Sequence, residues 1–119
     1  MDDTASPLAG VFLEDGIPTL SVTQAAALPA TVRFIDVRRP EEFHGELGHV
    51  EGAELHPLGL KLERFLADAP RDGHYVFLCR VGGRSAHATA LAMALGFRHV
   101  ANMAGGMMQW NAEGLPTVR

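Results

Sequence analysis

Disulfide bonding within the chain is excluded, because its 119 residues hold one cysteine, Cys79. The same scarcity removes any internal thiol that could resolve an oxidised sulfur. Excess positive charge is also missing: ten Lys and Arg stand against fourteen Asp and Glu, a net charge of −4 with histidines neutral. That balance speaks against a nucleic-acid surface and supplies no basic face for an acidic membrane. No apolar run approaches the roughly 20 residues that span a bilayer. The opening "MDDTASPLAG" is acidic and lacks the regions of a secretory leader, so the expected compartment is the cytoplasm. Internal repeats and low-complexity segments are lacking too.

What is present is enough for one domain with a real core, since 47% of the residues are apolar. Residues 1–16 carry no clear period and read as a loosely ordered lead-in, with the domain expected over 17–119. From there the chain alternates. "PTLSV" reads as a strand, and Ser21 or Thr23 can cap the helix of "TQAAAL". "TVRFIDV" is a strand with Asp36 near its tip, and Pro40 suits the first position of a short helix in "RRPEEF". "GAELHPL" gives a further strand and "GLKLERFLADA" a helix. "HYVFLC" is continuously apolar, as in a strand buried on both faces. "RSAHATALAMALGF" is a helix ending near Gly96, followed by strand "RHVANM", helix "GGMMQWNAEG" and the tail "LPTVR". Strands alternating with helices predict an α/β domain around a largely parallel sheet. Ligands of such sheets sit outside the carboxyl ends of the strands, where Cys79 falls.

The tract after that cysteine, "CRVGGRS", carries the chemistry. A glycine-rich loop running into a helix turns its N–H groups inward and makes a cradle for negative charge. Gly82 and Gly83 let the backbone fold back, while Arg80 and Arg84 add positive charge. Such surroundings favour a thiolate, the nucleophilic form of the side chain. A cysteine serving only as a small core hydrophobe needs no cradle of this kind.

Three ordered motifs resemble those of the rhodanese family of sulfurtransferases. They are "FIDVRRPEEFHGELGHVEGAELHPL", "CRVGGRS" and "NMAGGMMQWNAEGLP", and together they span most of the chain. The resemblance implies a single rhodanese-like domain, a central parallel β-sheet flanked by helices on both faces. It further implies that Cys79 carries a persulfide, taking sulfur from an anionic donor such as thiosulfate and passing it to cyanide or a thiol. Under that resemblance Arg80, Val81, Gly82, Gly83, Arg84 and Ser85 form the substrate-binding loop, with Asp36 and Arg38 in support. No cofactor, nucleic acid or membrane is implied. The partners are a small sulfur donor and a thiol acceptor, or a sulfur-relay protein.

Several residues keep two readings. Arg80 can bind an anionic donor or lie in solvent, and Ser85 can cap its helix or hydrogen-bond the thiolate, capping being the more ordinary role. Asp36 can orient the loop, but an ion pair with Arg38 is the simpler expectation. Val81 is bulkier than many relatives carry there, which bears on the acceptor. Six histidines lack the spacing of a zinc site, and no second cysteine joins them, so no metal is expected. Two other functions compete with the enzyme: a partner-dependent sulfur carrier or non-catalytic module, and a phosphatase or arsenate reductase. The last is disfavoured, because four residues separate Cys79 from Arg84 and phosphatases that use a cysteine and an arginine have one more.

Overall fold

The computed structural model describes Leu8 and residues 10–119. Of the lead-in expected over 1–16, residues 1–7 and 9 lie outside the described residues. Among the described residues the chain forms six strands and five helices. They run β1 (Phe12–Glu14), β2 (Ile17–Leu20), α1 (Val22–Ala26), β3 (Arg33–Asp36), α2 (Pro40–Phe43) and β4 (Glu54–Leu55). The second half continues with α3 (Leu60–Asp68), β5 (His74–Leu78), α4 (Gly83–Ala94), β6 (His99–Met103) and α5 (Gly106–Ala112). One sheet takes all the strands in the order β1-β2-β6-β5-β3-β4. Every pairing is parallel except β1 with β2, a hairpin at one edge. No helix among the described residues is long and apolar enough to cross a membrane.

The apolar run of β5 works as its composition predicts. Val76 and Leu78 point to one core, with Val22 and Ala25 of α1 and Met107 and Trp110 of α5. Tyr75 and Phe77 point to the other, with Leu62 and Leu66 of α3 and Ala88 and Ala92 of α4. A strand covered on both faces needs apolar residues at every position, because successive side chains alternate between faces.

Local signals set most boundaries. Of the two expected caps for α1, the structure uses Ser21: its Oγ accepts from Gln24 N at 3.1 Å, and Gln24 Oε1 accepts from Ser21 N at 2.8 Å. Pro40 opens α2, where its missing N–H costs nothing. Two elements differ from expectation. The stretch read as lead-in contains β1, made by a turn at Asp15 and Gly16 that both take positive φ. The stretch read as a plain tail returns to the fold, where His49 and Val118 exchange backbone hydrogen bonds of 2.8 and 2.9 Å.

Candidate active site

Cys79 stands one residue beyond β5, at the carboxyl edge of the sheet. It is 1% exposed, and its sulfur faces the loop that follows. Gly82 N–H reaches Sγ at 3.1 Å and Ser85 N–H at 3.4 Å. Gly82 has φ +113°, a conformation that glycine enters without the strain a side chain would bring, and this turns its N–H back onto the sulfur. Gly83 needs no such freedom; it is the first residue of α4 and keeps ordinary φ. The N-terminal end of α4 therefore points at the sulfur, and its unpaired N–H groups favour negative charge there.

The helix is capped without a side chain, so the capping role expected of Ser85 is not the one it takes. Ser85 is fully buried, with Oγ 3.3 Å from Cys79 Sγ, 3.3 Å from Gly82 O and 2.5 Å from Asn102 Oδ1. Asn102 had no part in the expected site. It arrives through register, because β6 pairs with β5 so that Asn102 lies beside Phe77, two residues before the cysteine. The sequence signal is a polar residue between Ala101 and Met103 in the strand "HVANM".

Charges near the loop are arranged differently from the simplest expectation. Arg84 does not stand free; it forks onto Glu42 of α2, with Nη1–Oε1 at 2.8 Å and Nη2–Oε2 at 2.9 Å. That double hydrogen bond from Arg84 holds the Glu42 carboxyl at about 2, well below its ordinary 4.5. Arg80 is exposed, and its guanidinium forms no hydrogen bond or ion pair with the described residues. It borders a small cleft of about 100 Å³ with Glu41, Glu42 and Glu46. Val81 stands 62% exposed at the tip of the loop. A second cleft, of about 290 Å³, lies on the other side of the loop between Glu14, Asp15, Val81, Gly82 and Asn102.

Asp36 and Arg38 form the ion pair that the simpler reading expects. Arg38 Nε donates to Asp36 Oδ1 at 2.9 Å and Nη2 to Oδ2 at 2.8 Å, with both side chains at most 1% exposed. The guanidinium also donates to the carbonyls of Glu42 and Gly48 at 3.2 and 2.8 Å, which satisfies a charge that would be costly to bury alone. Arg38 thereby ties the end of β3 to α2 and positions Glu42, the partner of Arg84. His49 is structural, stacked on Phe43 at 3.6 Å between ring centroids and bonded to Phe43 O through Nδ1 at 2.8 Å.

The Glu42–Arg84 link gives a pH signature. A carboxyl whose folded value is depressed contributes stability above its ordinary 4.5, and that contribution is lost as pH falls toward about 2. Glu42→Gln is expected to lower stability by about 1 kcal/mol at neutral pH, since the pair is partly exposed. The gap between variant and wild type closes across that acid window. Urea unfolding at neutral pH and near the acid end checks it, and a gap independent of pH would refute the pairing as its source.

Fold and site together define a mainly parallel α/β domain that presents a buried cysteine to a cradle of backbone N–H groups. The chain belongs to the family described as the Rhodanese-like domain, which matches residues 21–113. A sulfurtransferase from Allochromatium vinosum is 31% identical over 86% of this chain and 92% of its own. The human thiosulfate:glutathione sulfurtransferase is 34% identical over 80% of this chain and 94% of its own. Among solved structures, a Rhodopseudomonas palustris protein of unknown function, described as a possible tyrosine phosphatase, has TM-score 0.76 and 30% identity. That match covers 87% of this chain and 86% of the other.

Proposed function

We propose that this protein is a sulfurtransferase that carries sulfane sulfur as a persulfide on Cys79. The observation that carries the reading is the convergence of Gly82 N–H and Ser85 N–H on Sγ. Donors fixed in advance stabilise an anionic sulfur without reorganising during the reaction. With thiosulfate as donor, the Cys79 thiolate attacks the outer sulfur; the new S–S bond forms as the old one breaks, and sulfite leaves with the electron pair. Cyanide or a thiolate then attacks the outer sulfur of the persulfide, and the Cys79 thiolate departs. Splitting one transfer into two steps is the usual gain of a covalent intermediate. Loop residues Arg80 to Ser85 form the donor site, with Arg80 as its free cation, Arg84 braced by Glu42 and Asp36–Arg38 behind. A free thiol of this kind suits the reducing cytoplasm.

Cys79 is 1% exposed, so the entering group must be slim, and a terminal sulfur suits that demand. Phosphoryl chemistry suits it less, because the loop is short and both Nη atoms of Arg84 are engaged by Glu42. Hydrolysis of a chromogenic aryl phosphate that depended on Cys79 would reverse this preference. The test of the main reading is intact mass before and after thiosulfate. A gain of one sulfur, removed by cyanide or a thiol, is expected; no gain together with no transfer to either acceptor would overturn it.

One observation favours a second reading, a carrier that works with a partner protein. Arg80 shares its cleft with three carboxylates, so the rim opposes a free dianion. Multiple turnovers on small donors and acceptors support the enzyme, whereas turnover only with a partner supports the carrier. Either way, the lone cysteine leaves release to an external nucleophile. Added glutathione or a dithiol is therefore expected to raise the turnover rate, and a rate unchanged over a wide thiol range would count against this.

A further inference from the structure

The Ser85 hydroxyl has one proton and three acceptors within reach: Asn102 Oδ1 at 2.5 Å, Cys79 Sγ at 3.3 Å and Gly82 O at 3.3 Å. Ser85 is fully buried and Asn102 6% exposed, so bulk water does not supply the difference. The orientation of the Asn102 amide follows from its other neighbour. Gly82 O can only accept, and Asn102 Nδ2 lies 3.4 Å from it, which turns Oδ1 toward Ser85. A separation of 2.5 Å is at the short end for an O–H···O hydrogen bond, so the proton belongs to Asn102.

We propose that Asn102 is a positioning residue that keeps the Ser85 proton away from the Cys79 sulfur, leaving that sulfur held by backbone N–H groups alone. Its purpose rests on the sulfurtransferase reading. A sulfur with fewer donors is the more basic and stronger nucleophile for taking up the transferred atom. The location of the proton can be tested without any transfer.

The experiment is the pH profile of Cys79 alkylation by iodoacetamide, which reads the fraction of thiolate and needs no sulfur donor. In Asn102→Ala the Ser85 hydroxyl keeps Gly82 O and Cys79 Sγ at 3.3 Å, and the anionic sulfur is the stronger acceptor, so the midpoint is expected to fall by about one pH unit, the size of one hydrogen bond to a charged group. Asn102→Leu, of similar volume and without an acceptor, should give the same fall and covers the case in which the alanine variant does not fold. Ser85→Ala alone should leave the midpoint nearly in place, because that proton was not on the sulfur. Ser85→Ala combined with either Asn102 substitution should return the midpoint close to that of the wild type. A rise of the midpoint in Ser85→Ala, or no fall in the foldable Asn102 variants, overturns the proposal. Because sulfur loading is scored separately by mass, failure here and failure of the sulfurtransferase reading are distinguishable.

Discussion

Replacing Cys79 with serine is expected to abolish sulfur transfer while the domain stays folded. Serine is close to cysteine in volume, and Gly82 N–H and Ser85 N–H remain to bond its oxygen as they bond the sulfur. The cost to stability is about 1 kcal/mol, the size of one imperfectly satisfied buried hydroxyl, and shifts the thermal midpoint by no more than about 8 °C. The chemical cost is much larger. An alcohol does not ionise at neutral pH, and oxygen bonded to sulfur does not substitute for a persulfide. Turnover should fall on the order of 10³-fold or more, as when a covalent nucleophile is removed elsewhere. Thiosulfate should leave no added mass on the variant. Residual transfer near the wild-type rate would remove Cys79 from the chemistry altogether.

Gly106→Ala should be strongly damaging even though it leaves every proposed reacting group in place. Gly106 begins α5, and a Cβ there would lie 2.4 Å from Cys79 O and 2.5 Å from Arg80 O, both backbone atoms that cannot swing aside. Its φ of +56° adds a left-handed conformation that alanine adopts at a cost. The close approach exists because α5 uses its first N–H groups to hold the loop: Met107 N donates to Cys79 O at 2.9 Å and Met108 N to Arg80 O at 3.0 Å. Strain and overpacking together amount to roughly 2–5 kcal/mol. A fall in thermal midpoint of about 10 °C or more should follow, together with slower persulfide formation in the protein that remains folded. A variant as stable and as fast as the wild type would show that the loop does not depend on this contact.

Reading the sequence works best where one residue's neighbours in the chain decide its place. The buried strand at His74–Leu78, the capping box at Ser21 and the proline opening α2 are all local events. β1 is hard to see for the opposite reason. It has three residues, all exposed, so no burial pattern marks it. The hairpin depends on a turn that puts Asp15 at φ +53°. Within the site, Cys79 and its glycines can be read from one contiguous tract, but the partners of that tract cannot. Glu42 is separated from Arg84 by 42 positions, and Asn102 from Ser85 by 17. Both meetings depend on the register of parallel strands, which chain order alone does not specify. The tract shows the charge of Arg84 but not its counter-ion, because Glu42 lies on another element.

A chain leaving the ribosome meets its strands in an order unsuited to this sheet. β2 is made early, yet its parallel neighbour is β6, with Leu20 opposite Met103. Until β6 emerges, β2 has only its hairpin partner, and pairings between such distant segments are slow to form. The cysteine loop waits longer still, since the carbonyls of Cys79 and Arg80 receive their donors from Met107 and Met108. During synthesis Cys79 therefore sits on an unfinished sheet, its carbonyl still without the donor that α5 provides. Those carbonyls gain their partners only after α5 begins, so the turn from Cys79 to Arg80 is fixed in place late in the synthesis of the domain.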